Sequence, residues 1–279
     1  MSIDLLNKTN FKKLTDVLYR RTGIAIDEKR YNLLYKKIEN YMILKGYDNF
    51  RAYFHDIRFN KSDSPIFQDL INIVTINETY FYREKHHFEI LVEQVLYELD
   101  EIRPANEPFR ILCSPSSTGE EPYSIVLHLL TEAKIIEKRD IEIVGIDINS
   151  TVIQKAKDGI YNKRSVDFLP KNILNQYFTQ TGPLTYQISD FLRDVVDFRV
   201  INVMDNLSMQ KLGKFDVIFS RNMLIYFDEI SKKEVAMTFY NMLKPSGFVF
   251  LGHAESMNRV VSVFKTRRFG KHIIYQKTN

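Results

Sequence analysis

Several short stretches set polar residues directly after apolar runs that must position them. SPSSTGEEPYS (114–124) follows FRILC and contains one glycine, Gly119, and two adjacent acids, Glu120 and Glu121. A dinucleotide-binding turn would show G-x-G-x-x-G there, so that backbone N–H groups could approach a pyrophosphate. The acid pair would repel a phosphate and attract a cation. S-adenosylmethionine, which lacks phosphates and carries a sulfonium and an α-ammonium, suits such a loop. The competing reading makes Glu120, Glu121 and Pro122 the first turn of a helix, with acids complementing the dipole.

A second apolar run, IEIVGIDIN, places Asp147 at its end. A carboxylate there can accept from both ribose hydroxyls, because each oxygen offers lone pairs; alternatively, Asp147 or Asn149 caps the next helix. FDVIFSRN ends in Ser220, Arg221 and Asn222, and so polar a terminus on so apolar a strand is poorly explained by packing. It either lines the same cleft or caps a helix, with Tyr226 as a core aromatic. TINETYFYREKHHF clusters Asn77, Thr79 and Arg83, with Glu84, His86 and His87 beyond. On pattern alone this stretch reads as amphipathic, and its histidines as solvent-facing or structural.

The elements needed to hold these residues are legible in the periodicity. Up to residue 75 the pattern is helical: Phe11, Leu14 and Leu18 repeat before a stop at Gly23, and a second helix runs to Gly46. Asp48 is the expected N-cap of a third, and Ser64 with Pro65 opens a fourth. From Phe109 onward, strand candidates FRILC, IEIVGIDIN, FRVINV, FDVIFSRN, FVFLGH and HIIYQK alternate with helical segments. That alternation predicts an α/β fold, a doubly wound, mostly parallel sheet that binds ligands beyond the carboxyl ends of its strands. Residues 160–197 interrupt the alternation and read as a helix-plus-hairpin insertion.

Composition narrows the function classes. Hydrophobic residues make up 44% and charged residues 27% of the 279, the profile of a soluble globular protein. No apolar run approaches the roughly 20 residues that span a bilayer, and the N-terminus shows no secretory leader pattern. One cysteine, Cys113, cannot form an internal disulfide, and six scattered histidines offer no metal-ligand spacing, so a cytoplasmic protein without a metal is expected. Residues 1–62 hold 13 Lys/Arg against 7 Asp/Glu, while the remainder is close to neutral. This basic end is either a solvated helical face or a docking surface for an acidic partner. No basic run interleaved with aromatics points to nucleic acid.

Taken in order and spacing, TINETYFYRE, STGEEPYS, GIDIN, FDVIFSRNMLIYFD and LKPSGFVFLGHAES resemble the chemotaxis receptor glutamate methyltransferases, from about residue 10 to the C-terminus. The resemblance implies a class I methyltransferase domain over 109–279, a cofactor-contacting linker over 76–108 and a receptor-docking helical bundle over 1–75. It implies S-adenosylmethionine contacts at Asn77, Thr79, Arg83, Glu121, Asp147, Asn206, Leu207, Ser220, Arg221 and Asn222. Arg83 and Tyr226 are implied near the transferred methyl, and S-adenosylhomocysteine is the implied product. The implied partner is the cytoplasmic helical bundle of a chemoreceptor, met by a monomer without membrane insertion. Pro115 and Ala254 depart from the family pattern. TGPLTYQIS is short, with Gly182 alone, so action independent of a receptor C-terminal pentapeptide is expected. The rival class is a non-catalytic S-adenosylmethionine-binding scaffold.

Overall fold

The computed structural model describes residues 6–278; residues 1–5, which open the expected helical domain and leader-free N-terminus, lie outside the described residues. The chain divides into two compact units. One takes in the chain up to Ile76 together with Ile225–Ser231, and the other spans Asn77–Leu224 and Lys232–Asn279.

The first unit is helical: α1 (Lys8–Thr22), α2 (Glu28–Leu44), α3 (Phe50–Phe59) and α4 (Pro65–Val74). Phe11, Leu14 and Leu18 form the buried face of α1, and Gly23 ends it in a left-handed conformation. Ser64 caps α4 ahead of Pro65, accepting from Phe67 N–H. The cap of α3 is Asn49, whose Oδ1 accepts from Ala52 N–H at 3.0 Å, and not Asp48. Both residues are good caps, and a one-residue shift in a polar turn leaves no mark on the apolar period. The segment Ile225–Ser231 belongs to this unit through an antiparallel bridge between Ile24 and Phe227 and a Tyr19 hydroxyl bond to Asp228.

The second unit begins with α5 (His86–Ile90), which passes through a π-helical turn at Leu91–Val95 into α6 (Leu96–Asp100). The sheet unit then runs through β1 (Phe109–Cys113), α7 (Glu120–Glu132), β2 (Ile141–Asp147), α8 (Ser150–Asp158), β3 (Ile160–Asn162), α9 (Lys163–Val166), α10 (Lys171–Tyr177), β4 (Phe178–Gly182), β5 (Thr185–Ile188), α11 (Asp190–Val195), β6 (Val196–Val200), α12 (Asn206–Lys211), β7 (Phe215–Ser220), α13 (Glu229–Met242), β8 (Leu243–Leu251), β9 (Phe264–Phe269) and β10 (His272–Lys277). The first turn of α13 falls in the helical unit.

The main sheet has the order β6-β2-β1-β7-β8-β10-β9. It is parallel from β6 to β8 and antiparallel at β10 and β9. This is the expected mostly parallel sheet, and its winding reverses between β1 and β7, where ligand crevices open. Every residue of β7 is buried, as a strand covered on both faces requires. β9 has no counterpart among the sequence-predicted strands. Lys265, Arg267 and Arg268 break its apolar alternation, and pairing with β10 supplies what its side chains do not. The insertion is a three-stranded sheet, β3-β5-β4, carrying α9 and α10. Its Tyr161, Tyr177 and Phe178 belong to the same core as Phe81, Tyr123 and Phe219.

At the edge of the sheet remote from the strand ends discussed below, Asp216 is fully buried. It accepts from Arg103 Nε at 2.6 Å and from Arg110 N–H at 2.9 Å, with Lys244 Nζ at 3.1 Å. Replacing it by Ala leaves a buried guanidinium without its anion. Asp216→Ala is therefore expected to lower unfolding free energy by about 3–5 kcal/mol; urea titration giving less than about 1 kcal/mol would show the network to be dispensable.

Candidate cofactor-binding site

Three loops meet beyond the carboxyl ends of β1, β2 and β7. The loop after β1 is held against β2 by Ser116 N–H to Ile146 O and by Ser117 N–H to Asp147 Oδ2 at 3.0 Å. Gly145 lets the two backbones approach, since a Cβ there would lie 2.8 Å from the Phe198 ring and 3.0 Å from Ser116 Cβ. Gly119 turns the chain into α7 at φ 95° with no room for a side chain, which would meet Ala156, Tyr161 and Tyr123.

Asp147 is buried at the end of β2, and its other oxygen accepts from Asn149 N–H at 3.0 Å. Asn149 performs the capping of α8, accepting from Thr151 and Val152. Burial pushes the Asp147 carboxyl up to about 6, against the backbone donors of Asn149, Ser117 and Ile148. Three backbone donors on two oxygens still leave acceptor capacity for a ligand donor.

Arg221, buried at the end of β7, is bonded to three protein acceptors. Nη1 donates to Glu121 Oε2 at 2.8 Å, Nε to Glu84 Oε2 at 3.2 Å, and Nη2 to Arg83 O at 2.5 Å. Glu84 also takes the His253 ring at 2.7 Å. Burial raises the Glu84 carboxyl, but Arg221 and His253 outweigh it and hold the group at about 2. Glu121 responds oppositely: burial dominates over Arg221, and its carboxyl is pushed up to about 6. Its Oε1 is buried without a hydrogen-bond partner among the described residues, as are Ser116 Oγ, Ser117 Oγ and Ser220 Oγ. Orphaned acceptors on a raised-pKa carboxyl are what a cationic ligand would satisfy.

Arg83 lies between Tyr82 (φ 59°) and Glu84 (φ 53°), both in the left-handed region that non-glycine residues rarely occupy. Such strain persists only where surroundings over-determine it. Here Tyr82 N–H is fixed to Ser124 Oγ, and Arg221 grips both Arg83 O and Glu84. The Arg83 guanidinium bonds Glu78 O at 2.8 Å and is near enough to Glu121 to lower that group's pKa. Asn222 (φ 58°) is held by Glu255, whose carboxylate also accepts from Leu224 and Gly252 N–H.

The structure thus brings Arg83, Glu121 and Arg221 together, with Asp147 joined to them through the loop after β1 and Ser220 and Asn222 flanking Arg221. Asn77 and Thr79 lie on the extended segment ahead of Arg83. Asn206 opens α12, accepting from Thr238 Oγ1, and Leu207 beside it is 72% exposed. Tyr226 belongs to the helical unit, where its carbonyl accepts from Ala25 N–H. The partners of Glu84 and Glu255 were not readable from sequence: both lie far along the chain, and only the adjoining motif residues hinted at a role. His87 is buried and held neutral, its pKa lowered to about 3 by burial and by Arg221, and His86 stacks on His272 at 3.7 Å. Cys113 is a buried free thiol.

Residues 77–273 match the family model for the CheR methyltransferase, SAM binding domain, and residues 9–75 match that for the CheR methyltransferase, all-alpha domain. The chain is 42% identical over 273 residues to chemotaxis protein methyltransferase 2 of Vibrio cholerae, covering 98% of this chain and 94% of that protein. It is 32% identical over 252 residues to chemotaxis protein methyltransferase 2 of Pseudomonas aeruginosa, with 89% and 87% covered. It is 31% identical over 265 residues to the chemotaxis protein methyltransferase of Salmonella typhimurium, with 94% and 88% covered. Among the described residues no cluster of His, Cys, Asp and Glu could hold a metal, and no helix is long and apolar enough to cross a membrane.

The pKa values of Glu121 and Asp147 give the site a pH signature. Both carboxyls are raised by burial, so both hold protons near pH 5 that a bound cation or hydrogen-bond donor would displace. Taken alone, they favour the cofactor-free fold below about pH 4 and cease to do so as pH climbs through about 6. His87, with its lowered pKa, has the opposite sign: its contribution is present above about pH 6.5 and is lost as pH falls. Total stability mixes the two, whereas binding isolates the carboxyls. Calorimetry of S-adenosylhomocysteine binding in buffers of different ionisation enthalpy should show proton release near pH 6 that vanishes by pH 8, with affinity falling below pH 6. Proton uptake on binding at pH 6 would contradict this assignment.

Proposed function

Because this chain belongs to the CheR methyltransferase family, we propose that it transfers a methyl group from S-adenosylmethionine to glutamate side chains of a chemoreceptor's cytoplasmic helical bundle. Methyl transfer in chemotaxis is the activity its relatives carry in name, and SAM binding is what the matching family domain is described by. The observation that supports the cofactor reading best is the half-buried Glu121, with one oxygen on Arg221 and the other buried and unmatched. The orphaned hydroxyls of Ser116, Ser117 and Ser220 fit the same polar ligand.

When bound, the cofactor supplies a methyl group activated by its sulfonium. Glu121 pairs with the α-ammonium, and Asp147 accepts from the ribose hydroxyls. Arg221 holds Glu121 and the Arg83 loop in register. Arg83, whose guanidinium donates to the Glu78 carbonyl, aims the acceptor carboxylate through its planar fork. An exposed glutamate has a pKa of about 4.3 and is already an anion at pH 7, so no general base is required. The buried, neutral His87 and the stacked His86 suit structural roles in that scheme. Positioning is the main source of rate, for which about 7–11 kcal/mol is available in well-oriented systems. The helical unit, with Lys12, Lys13, Arg20, Lys36 and Lys37 exposed, is assigned to docking on an acidic receptor face, the segment 76–108 to linking and cofactor contact, and 109–279 to methyl transfer.

Transfer of tritiated methyl groups to receptor cytoplasmic domains, followed by mass spectrometry, tests the substrate. Base-labile methyl esters on glutamate are expected. Base-stable adducts, or none with an intact cofactor site, would sink the glutamate assignment. Arg83→Ala should lower kcat by about 100-fold or more while cofactor affinity changes by less than about 10-fold. Equal losses in both would make Arg83 a cofactor ligand only.

A further inference from the structure

Glu120 is 4% exposed, and nothing in the proposed reaction uses it. At the first turn of a helix a carboxylate can satisfy itself in solvent while complementing the dipole. This one instead points inward, where burial raises its pKa against the hydroxyls that donate to it. Its Oε2 accepts from Thr118 Oγ1 at 2.6 Å and its Oε1 from Ser165 Oγ at 2.7 Å. Thr118 sits in the loop after β1, next to Ser117, whose N–H holds Asp147. Ser165 lies on α9 of the insertion, and its carbonyl accepts from Phe81 N–H at 2.9 Å. The insertion reaches the same loop a second time, through the Tyr161 hydroxyl to Thr118 O at 2.9 Å. The Glu120 carbonyl takes Ser124 Oγ at 2.6 Å, and that hydroxyl accepts from Tyr82 N–H at 3.0 Å. Two of the loops that face the site are therefore tied to one residue in addition to their other bonds: the Ser117–Thr118 turn and the strained Tyr82–Glu84 turn.

We infer that Glu120 is a positioning residue that braces the cofactor loop and the Arg83 loop against the three-stranded insertion through Thr118 and Ser165. The insertion thereby supports the cofactor site from the side. This inference rests on the S-adenosylmethionine reading of that site.

The test is S-adenosylhomocysteine affinity by calorimetry on the full chain, with melting temperature measured in parallel. Ser165→Ala removes one hydroxyl from the insertion and touches no residue assigned to the cofactor; it should weaken binding by about 3–10-fold, the range of one lost hydrogen bond. Glu120→Ala should weaken it by about 10–100-fold, since two donors lose a charged acceptor. Glu120→Gln should stay within about 3-fold, because its amide can accept from one hydroxyl and donate to the other. Should Glu120→Ala not fold, Ser165→Ala and Glu120→Gln decide the matter. A lowered melting temperature with wild-type affinity in Ser165→Ala would make the brace structural only and overturn the inference. Absence of binding by the wild-type chain would instead overturn the cofactor reading, and the inference with it.

Discussion

A guanidinium with 6% of its residue exposed must be matched by anions, and Arg221 recruits two. Glu84 comes from the loop before α5 and Glu121 from the first turn of α7, so one cation at the end of β7 locks three remote pieces of chain together. Removing Arg221 leaves two carboxylates without their shared cation, and its bonds to Arg83 O and Glu84 help hold Tyr82 and Glu84 at positive φ. One guanidinium cannot neutralise two carboxylates. Asp147, buried and held by backbone N–H groups, adds further negative character at the neighbouring strand end. The cluster is thus organised by a positive charge and still favours another.

This arrangement explains how a doubly wound sheet, usually associated with phosphate-binding turns, can select a different ligand class. The turn after β1 keeps the glycine needed to enter the helix but places acids where backbone donors would otherwise meet a pyrophosphate. Burial raises the carboxyls of Glu121 in that turn and of Asp147 at the end of β2, against Arg221 on the first and backbone donors on the second. Glu84, fully partnered, is held at low pKa only a few ångströms of bonding away. Glu121 and Glu84 bond the same arginine and differ in how many donors each receives.

The strand ends were the most legible part of the chain. FRILC, IEIVGID and FDVIFS are short buried runs that end abruptly in polar residues, so Glu121, Asp147 and Arg221 could be singled out before any coordinates. β9 was invisible because its charges mask its period, and it is a strand by virtue of its neighbour. The capping of α3 by Asn49 turned on local dihedral choice between two equivalent side chains. The extent of the insertion's sheet was only partly readable, since the three residues of β3 are too few to show a period. The contacts of Glu84 with Arg221 and His253, of Glu120 with Ser165 and of Glu255 with Asn222 and Leu224 depend on long-range closure over 31 to 169 residues, and no periodicity encodes such pairs.

The role proposed for Glu121 is to pair with the ammonium of the cofactor through its unmatched oxygen. Its most direct test is the affinity of the chain for S-adenosylhomocysteine compared with an analogue lacking only the α-amino group. Loss of that group should weaken binding by about 30-fold or more, because a buried carboxylate is left without its partner. Equal affinities for the two compounds would contradict the claim.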